Sequence, residues 1–351
     1  LASLAGCIGG GGGGEEGPIK LGGVLPLTGI QAEPAKWIKR AWELKIEQVN
    51  DNGGLFGRDV DLIVYDNELT ASKTQRQTQR LLTKNNVDIL LGPYNTVTMP
   101  TMAPIAESHG YTVLHMFWPA SHILDWKQGN GKWPHQFGFS AGSYTYPRAT
   151  LKFLSSLPSD IRPKRLAFIG RNDVYGKDGF SSWQRFLDEF GGNFEIVGNE
   201  YYQPGTTDLS SVVRKFQGEN VDFFGSNSYF GGSSLFVRAL ANLGMQPDIT
   251  WTSVGSQIPD WIPSMGATGE YVMGAGPYVY SVDTEANQKL YETTQNKWGQ
   301  KPHYSLGFAA IQFDAYLQAL KEIGDSSAFN TSIVIPANSH LRTASQMLKC
   351  L

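Results

Sequence analysis

Apolar positions along this chain alternate between two rhythms. Short blocks rich in Val, Ile and Leu at 19–25, 60–65, 87–91 and 111–117 read as strands. The stretches between them carry apolar residues at helical spacing. The clearest helix is expected over 34–50, where Ile38, Ala41, Trp42, Ile46 and Val49 share one face and Asn52-Gly53-Gly54 supplies a stop. Others are expected over 72–85, with a wet outer face of Gln, Arg and Lys, and over 99–109. Strand–helix–strand alternation builds a parallel sheet with right-handed crossovers. From 118 to 137 the pattern breaks, and Gly129, Gly131 and Pro134 predict an irregular loop.

The same rhythm then repeats. Helices are expected over 146–157, 180–190, 209–217 and 233–243, and strands over 165–169, 194–198, 221–225 and 249–253. The recurrence predicts an α/β chain of two doubly wound parallel-sheet lobes joined by a hinge, rather than one large sheet. Residues 1–17 form a leader and tether, 18–139 lobe one, and 140–274 lobe two. Residues 275–351 return to lobe one with helices over 285–298 and 307–321, and crossings near 139–143 and 274–278 make the hinge. Parallel sheets bind ligands at the carboxyl ends of their strands. The turns there, LPLTG, YDNE and LGPYNT, are polar or rich in Gly and Pro rather than catalytic in type. They suit a receptor for a small molecule more than an enzyme.

At 351 residues the chain is long enough for two substantial cores, and its net charge of −3 argues against nucleic acid as a partner. No apolar run reaches the roughly eighteen residues that a spanning helix needs. The two cysteines, Cys7 and Cys350, stand at opposite ends and imply neither a disulfide framework nor a zinc site. Cys7 closes the stretch LASLAGC, which has the form of a secretory apolar region ending in a lipobox. Its thiol would take a lipid, and the glycine run 9–14 would be a flexible tether to a body outside the cytoplasmic membrane. The competing reading is a chance match in an irregular leader. Aromatics reach 12% with nine Trp, enough to line a cleft as well as fill cores.

The wording PLTG, NDNGGLFGR, YDNE and LLGPYNTVT resembles the periplasmic-binding-protein type I family, nearest to the branched-chain amino acid, amide and urea-binding components of ABC importers. The likeness covers about 19–323 and is strongest before Gly110. It implies a lipid-anchored extracytoplasmic protein that closes on a small amino-acid-like, amide or carboxylate ligand and docks on ABC permease subunits, with no cofactor. It aligns Thr96 with a ligand-binding hydroxyl, with Tyr94 and Asn95 beside it; Thr96 and Thr98 also suit the cap of the helix that follows. It places ligand contacts at the fourth strand's end, where this chain has Phe117, Trp118 and Ser121; the aromatic pair suits a cleft mouth or a lobe core equally. In lobe two it matches Tyr175 to a cleft tyrosine, with Asp173 adjacent, and puts Asn227 and Tyr229 at the next strand end. Amino-acid binders of the family carry an acid near the turn TSVGSQ, and none stands between Asp248 and Asp260. Either Asp173 meets the ligand's ammonium, or the ligand lacks one. After about 326 the family pattern leads one to expect a further helix, strand and crossing, whereas this chain offers only a strand at 333–335 and a short helix at 341–348.

Two alternatives follow from the same residues. A ligand sensor of this fold would share the cleft but signal to a partner. A serine hydrolase would use Ser140 of the G-x-S-x-G stretch Gly138–Gly142 with an acid and a His such as Asp314 and His340, but the preceding NGKWPHQF makes a poor buried strand. The six His show no metal-ligand spacing, and the acids Asp59, Asp61, Asp66 and Glu68 read as solvated edge charges.

Overall fold

The structure, a computed structural model, describes residues 17–127, 132–138, 142–190 and 193–323. Cys7, the glycine run, Ser140, His340, Cys350 and the expected elements at 333–335 and 341–348 lie outside the described residues.

The first lobe opens with β1 (Ile19–Leu25), whose alternate faces are both buried, as a central parallel strand requires. It leads into α1 (Ala32–Asp51), which buries Trp37, Ile38, Ala41 and Trp42 along one stripe. The Gly54 N–H closes that helix on the Val49 carbonyl at 2.9 Å, with Gly53 and Gly54 in the left-handed region. Next come β2 (Val60–Asp66) and α2 (Ala71–Arg80), capped by the Thr70 hydroxyl on the Lys73 N–H. A π-helical turn over Leu81–Asn85 stops at Asn86 in the left-handed conformation. Then follow β3 (Ile89–Leu91), α3 (Met99–Ser108), β4 (Val113–His115), α4 (Ala120–Lys127) and β5 (Gln136–Gly138). The last two correct the expectation of an irregular loop and of a missing strand before Ser140. β5 pairs with β4 in register Val113↔Gln136, and Gln136 is tied inward by the Glu107 carboxylate and the Tyr111 carbonyl.

The second lobe contains α5 (Gly142–Ser156), β6 (Arg165–Arg171), α6 (Val174–Phe190), β7 (Glu195–Tyr202), α7 (Ser210–Val213), β8 (Phe223–Asn227), α8 (Phe230–Asn242), β9 (Ile249–Thr252), α9 (Trp261–Met265) and β10 (Met273–Gly274). The chain ends its described course with α10 (Glu285–Trp298) and α11 (Tyr304–Ile323). α5 begins inside the stretch expected as a crossing, and α9 was not expected at all.

Among the described residues, the pairings between the named strands are all parallel. One sheet runs β2-β1-β3 with the pair β4-β5 beside β3, and the other runs β10-β9-β8-β6-β7. Phe168, Trp183, Phe223 and Trp251 fill the second lobe's core. α10 and α11 pack on α1: Trp298 meets Trp37 edge-on, Lys297 pairs with Glu47, and Lys45 pairs with Asp314 at 2.7 Å. Asp314 is thus spoken for at the lobe-one surface, far from any triad role. Among the described residues no helix is long and apolar enough to cross a membrane, and no group of three side chains is placed to hold a metal.

Candidate functional site

The site is built from the turns at the carboxyl ends of both sheets. In lobe one, β3 gives way to Gly92, where a Cβ would stand 2.6 Å from the Leu114 carbonyl oxygen, so only glycine lets β3 and β4 approach here. That approach sets the following turn beside the end of β4. Asn95, rather than a threonine, caps α3: its Oδ1 accepts from the Thr98 N–H at 3.1 Å and from the Thr98 hydroxyl at 3.0 Å. Its Nδ2 is buried and has no partner among the described residues. Thr96 is buried next to it at the helix entry. The Tyr94 hydroxyl meets the Tyr304 hydroxyl at 2.9 Å, and its ring stands edge-on to Phe117.

Phe117 and Trp118 part company. Phe117 packs on Phe308, with ring centroids 4.9 Å apart, in the cluster that also holds Tyr175 and Tyr229. Trp118 turns back among Met99, Ala103, Ile123 and Trp133 and lies flush against Gly138, so it is lobe-one core. Ser121 is exposed in the first turn of α4. There its N–H and hydroxyl, with the Ala120 N–H, hydrogen-bond the Asp178 carboxylate of α6, a link between lobes rather than a wall of the gap.

In lobe two, Asp173 caps α6 through Oδ1, which accepts from the Gly176 N–H at 3.1 Å. This start, several residues earlier than expected, puts Tyr175 in the first helical turn. Its ring stacks on Tyr229 at 4.9 Å and 9°. The Arg171 guanidinium lies 5.3 Å over the Tyr229 ring, and Arg171 Nε stands 2.6 Å from Asp173 Oδ2, a close ion pair without hydrogen-bond alignment. Asn227 is buried against Gly179 of α6. The following Ser228 is held by Tyr202, Ser226 and Ser253, which fixes the turn.

Both halves meet. Tyr94 and Phe117 from lobe one and Tyr175 and Tyr229 from lobe two belong to one continuous buried cluster with Tyr304, Phe308, Val254 and Ile258. Tyr146 of α5 adjoins it. Among the described residues the hydroxyls of Tyr146, Tyr175 and Tyr229 have no aligned partner, although Ser253 stands beside that of Tyr175. Burial raises the pKa of all five tyrosines, so each keeps its proton and remains a donor at neutral pH. The arrangement can grip a small solute by hydrogen bonds and aromatic faces, and among the described residues it shows no nucleophile–base pair. Sequence reasoning missed Arg171, Tyr146, Tyr304 and Phe308. The aromatic ones sit on α5 and α11, read only as hinge-side and packing helices.

A fold of two parallel-sheet lobes with facing turns defines a bilobed binding protein. Residues 18–334 match the periplasmic binding protein family model, and the chain belongs to that family. It is thereby a binding protein and not an enzyme. A Leu/Ile/Val-binding protein homolog from Brucella abortus is 23% identical over 82% of this chain and 73% of its own length. A solute-binding protein of an ABC transporter from Rhodopseudomonas palustris, solved with 3,4-dihydroxybenzoic acid, superposes with a TM-score of 0.76 at 19% identity, covering 91% of this chain and 85% of that one. A branched-chain amino acid transporter substrate-binding protein from Streptococcus pneumoniae, solved with isoleucine, gives a TM-score of 0.76 at 16% identity, covering 90% and 87%.

Proposed function

We propose that this chain is the extracytoplasmic solute-binding component of an ABC importer, tethered through Cys7, which closes on a small amino-acid-like, amide or carboxylate ligand and presents it to a permease. The observation that carries the reading is the set of buried hydroxyls without an aligned partner among the described residues: those of Tyr175 and Tyr229 where the lobes meet, and that of Tyr146, whose ring lies in the second lobe's core and whose hydroxyl neighbours Tyr175 and Tyr304. Buried polar groups are almost always paired, and a polar solute held between Tyr94–Thr96 and Tyr175–Tyr229 would supply the pairs. The α3 entry, with Thr96 and the Asn95 amide, suits a carboxylate or amide end. Isoleucine and 3,4-dihydroxybenzoic acid, held by the similar proteins, both carry a carboxylate. Closure is favoured because only the closed form offers both walls.

The test is a thermal-shift screen of amino acids, amides, urea and aromatic acids. A ligand at a hundredfold excess over its dissociation constant adds about 2.7 kcal/mol to stability. Thr96→Ala and Tyr175→Ala should each weaken the best hit; a hit whose affinity neither change alters is bound elsewhere and contradicts the reading.

A further inference from the structure

We infer that Arg171 sets the ligand class: by pairing with Asp173 it makes the site refuse an ammonium group, so the solute is an amine-free carboxylate or amide with an apolar or aromatic body. This rests on the binding reading above. Among the described residues, the carboxylates beside the facing turns are already engaged: Asp66, at the end of β2, accepts from the Leu27 N–H and the Thr28 hydroxyl. Asp173 is neutralised at 2.6 Å by Arg171 and gives its other oxygen to the Gly176 N–H. Asp178 is engaged by Ala120 and Ser121 at the start of α4. The turn that follows β9 brings Val254 and Ile258 into the cluster and no acid.

An ammonium stripped of water needs an opposite charge, and none is free to meet it. What has no aligned partner among the described residues is neutral: the hydroxyls of Tyr146, Tyr175 and Tyr229, each residue over nine-tenths buried, and the Asn95 amide nitrogen. The amide and the α3 entry favour a carboxylate or amide oxygen, and the tyrosine hydroxyls serve neutral polar groups on the ligand. The stacked Tyr175–Tyr229 pair with Phe117 and Phe308 forms walls for a flat or branched apolar body. Arg171 is held in place from both sides, by Asp173 and by the Tyr229 face, so the neutralisation is built into the lobe.

Matched ligands that differ in the amine alone test this by titration calorimetry on the full chain: 3-phenylpropanoate against phenylalanine, and 4-methylpentanoate against leucine. The amine-free member should bind at least about tenfold tighter in each pair. Arg171→Gln, which releases Asp173, should shrink that ratio by a similar factor. Tighter binding of leucine or phenylalanine to the unaltered protein overturns the inference and leaves the binding reading standing. Silence from all four ligands overturns the inference, and the binding reading falls with it only where the wider screen is silent too. The comparison on unaltered protein needs no variant, so a misfolded Arg171→Gln would not blunt it.

Discussion

A buried tyrosine hydroxyl without a partner has opposite effects on stability and on binding, and Tyr175 shows the consequence. Its ring is stacked on Tyr229 while its hydroxyl is unaligned with any acceptor. Removing the hydroxyl alone should relieve a desolvation cost and remove a ligand contact. Tyr175→Phe is therefore expected to raise the unliganded protein's stability by about 1 kcal/mol in urea titrations, while lowering ligand affinity about tenfold. Tyr175→Ala instead empties part of the cluster and should cost about 3 kcal/mol. A loss of stability in Tyr175→Phe would mean that the hydroxyl is paired in the free protein. At this scale the sequence was most readable in its turns. Tyr94, Asn95, Thr96, Phe117, Tyr175 and Tyr229 stand at strand ends, where chain direction alone points to a shared edge. Trp118 and Asn227 sit at such ends too, yet pack on Gly138 and Gly179 within their own lobes. Which way a side chain turns at a strand end depends on the neighbour's backbone, which no local pattern encodes.

Elements repeat the lesson. β1, α1 and α10 carry long periodic signals with clear stops, and they were legible. α4 and β5 were not: they are short, bracketed by Pro119, Gly131 and Pro134, and held by tertiary contacts such as the Gln136 amide on Glu107 and Tyr111. α6 started early because Asp173 caps it, a signal hidden inside a turn read as ligand-binding. The link between α4 and α6 gives a prediction of its own. Burial raises the Asp178 pKa above its ordinary value, even though Ala120 and Ser121 hydrogen-bond the carboxylate. A raised carboxyl stabilises the folded form fully below the unfolded pKa of 3.8, and that contribution fades as pH climbs through the folded value. Asp178→Asn, which keeps an acceptor for α4 without the charge, should thus be more stable than the unaltered protein at neutral pH. The gap should shrink as the pH is lowered toward about 4. Urea midpoints of the two proteins across this range check it; a gap that widens on acidification contradicts the assignment.

Among the described residues, burial holds imidazoles neutral in the first-lobe core and at the α11 entry, and it lowers the His122 pKa as well. Burial lowers His115 to about 4 and His303 to about 3. The Gln136 amide donates to Glu107 and Tyr111, so its oxygen must accept from His115 Nε2. Nδ1 of His303 likewise accepts from the Ser305 N–H. The unfolded chain takes up these protons near pH 6.5 and the folded one does not until much lower. Stability present above 6.5 should therefore fall as pH drops, by about 1.4 kcal/mol per pH unit for each group once the unfolded imidazoles are charged. His303→Gln should remove about half of the slope that His115 and His303 contribute together. The two-lobed plan itself was visible in the repeated strand–helix rhythm, because a parallel sheet needs both faces covered and each lobe covers its own. The meeting of the lobes was not, since Tyr304 and Phe308 reach the gap from a helix that returns after both sheets are complete. The central claim is that the facing turns hold one solute, and a crystal structure with the best ligand of the screen tests it most directly. The account predicts the ligand between Tyr94–Thr96 and Tyr175–Tyr229, with tyrosine hydroxyls within hydrogen-bond distance. A ligand seated on an outer face of either lobe would contradict it.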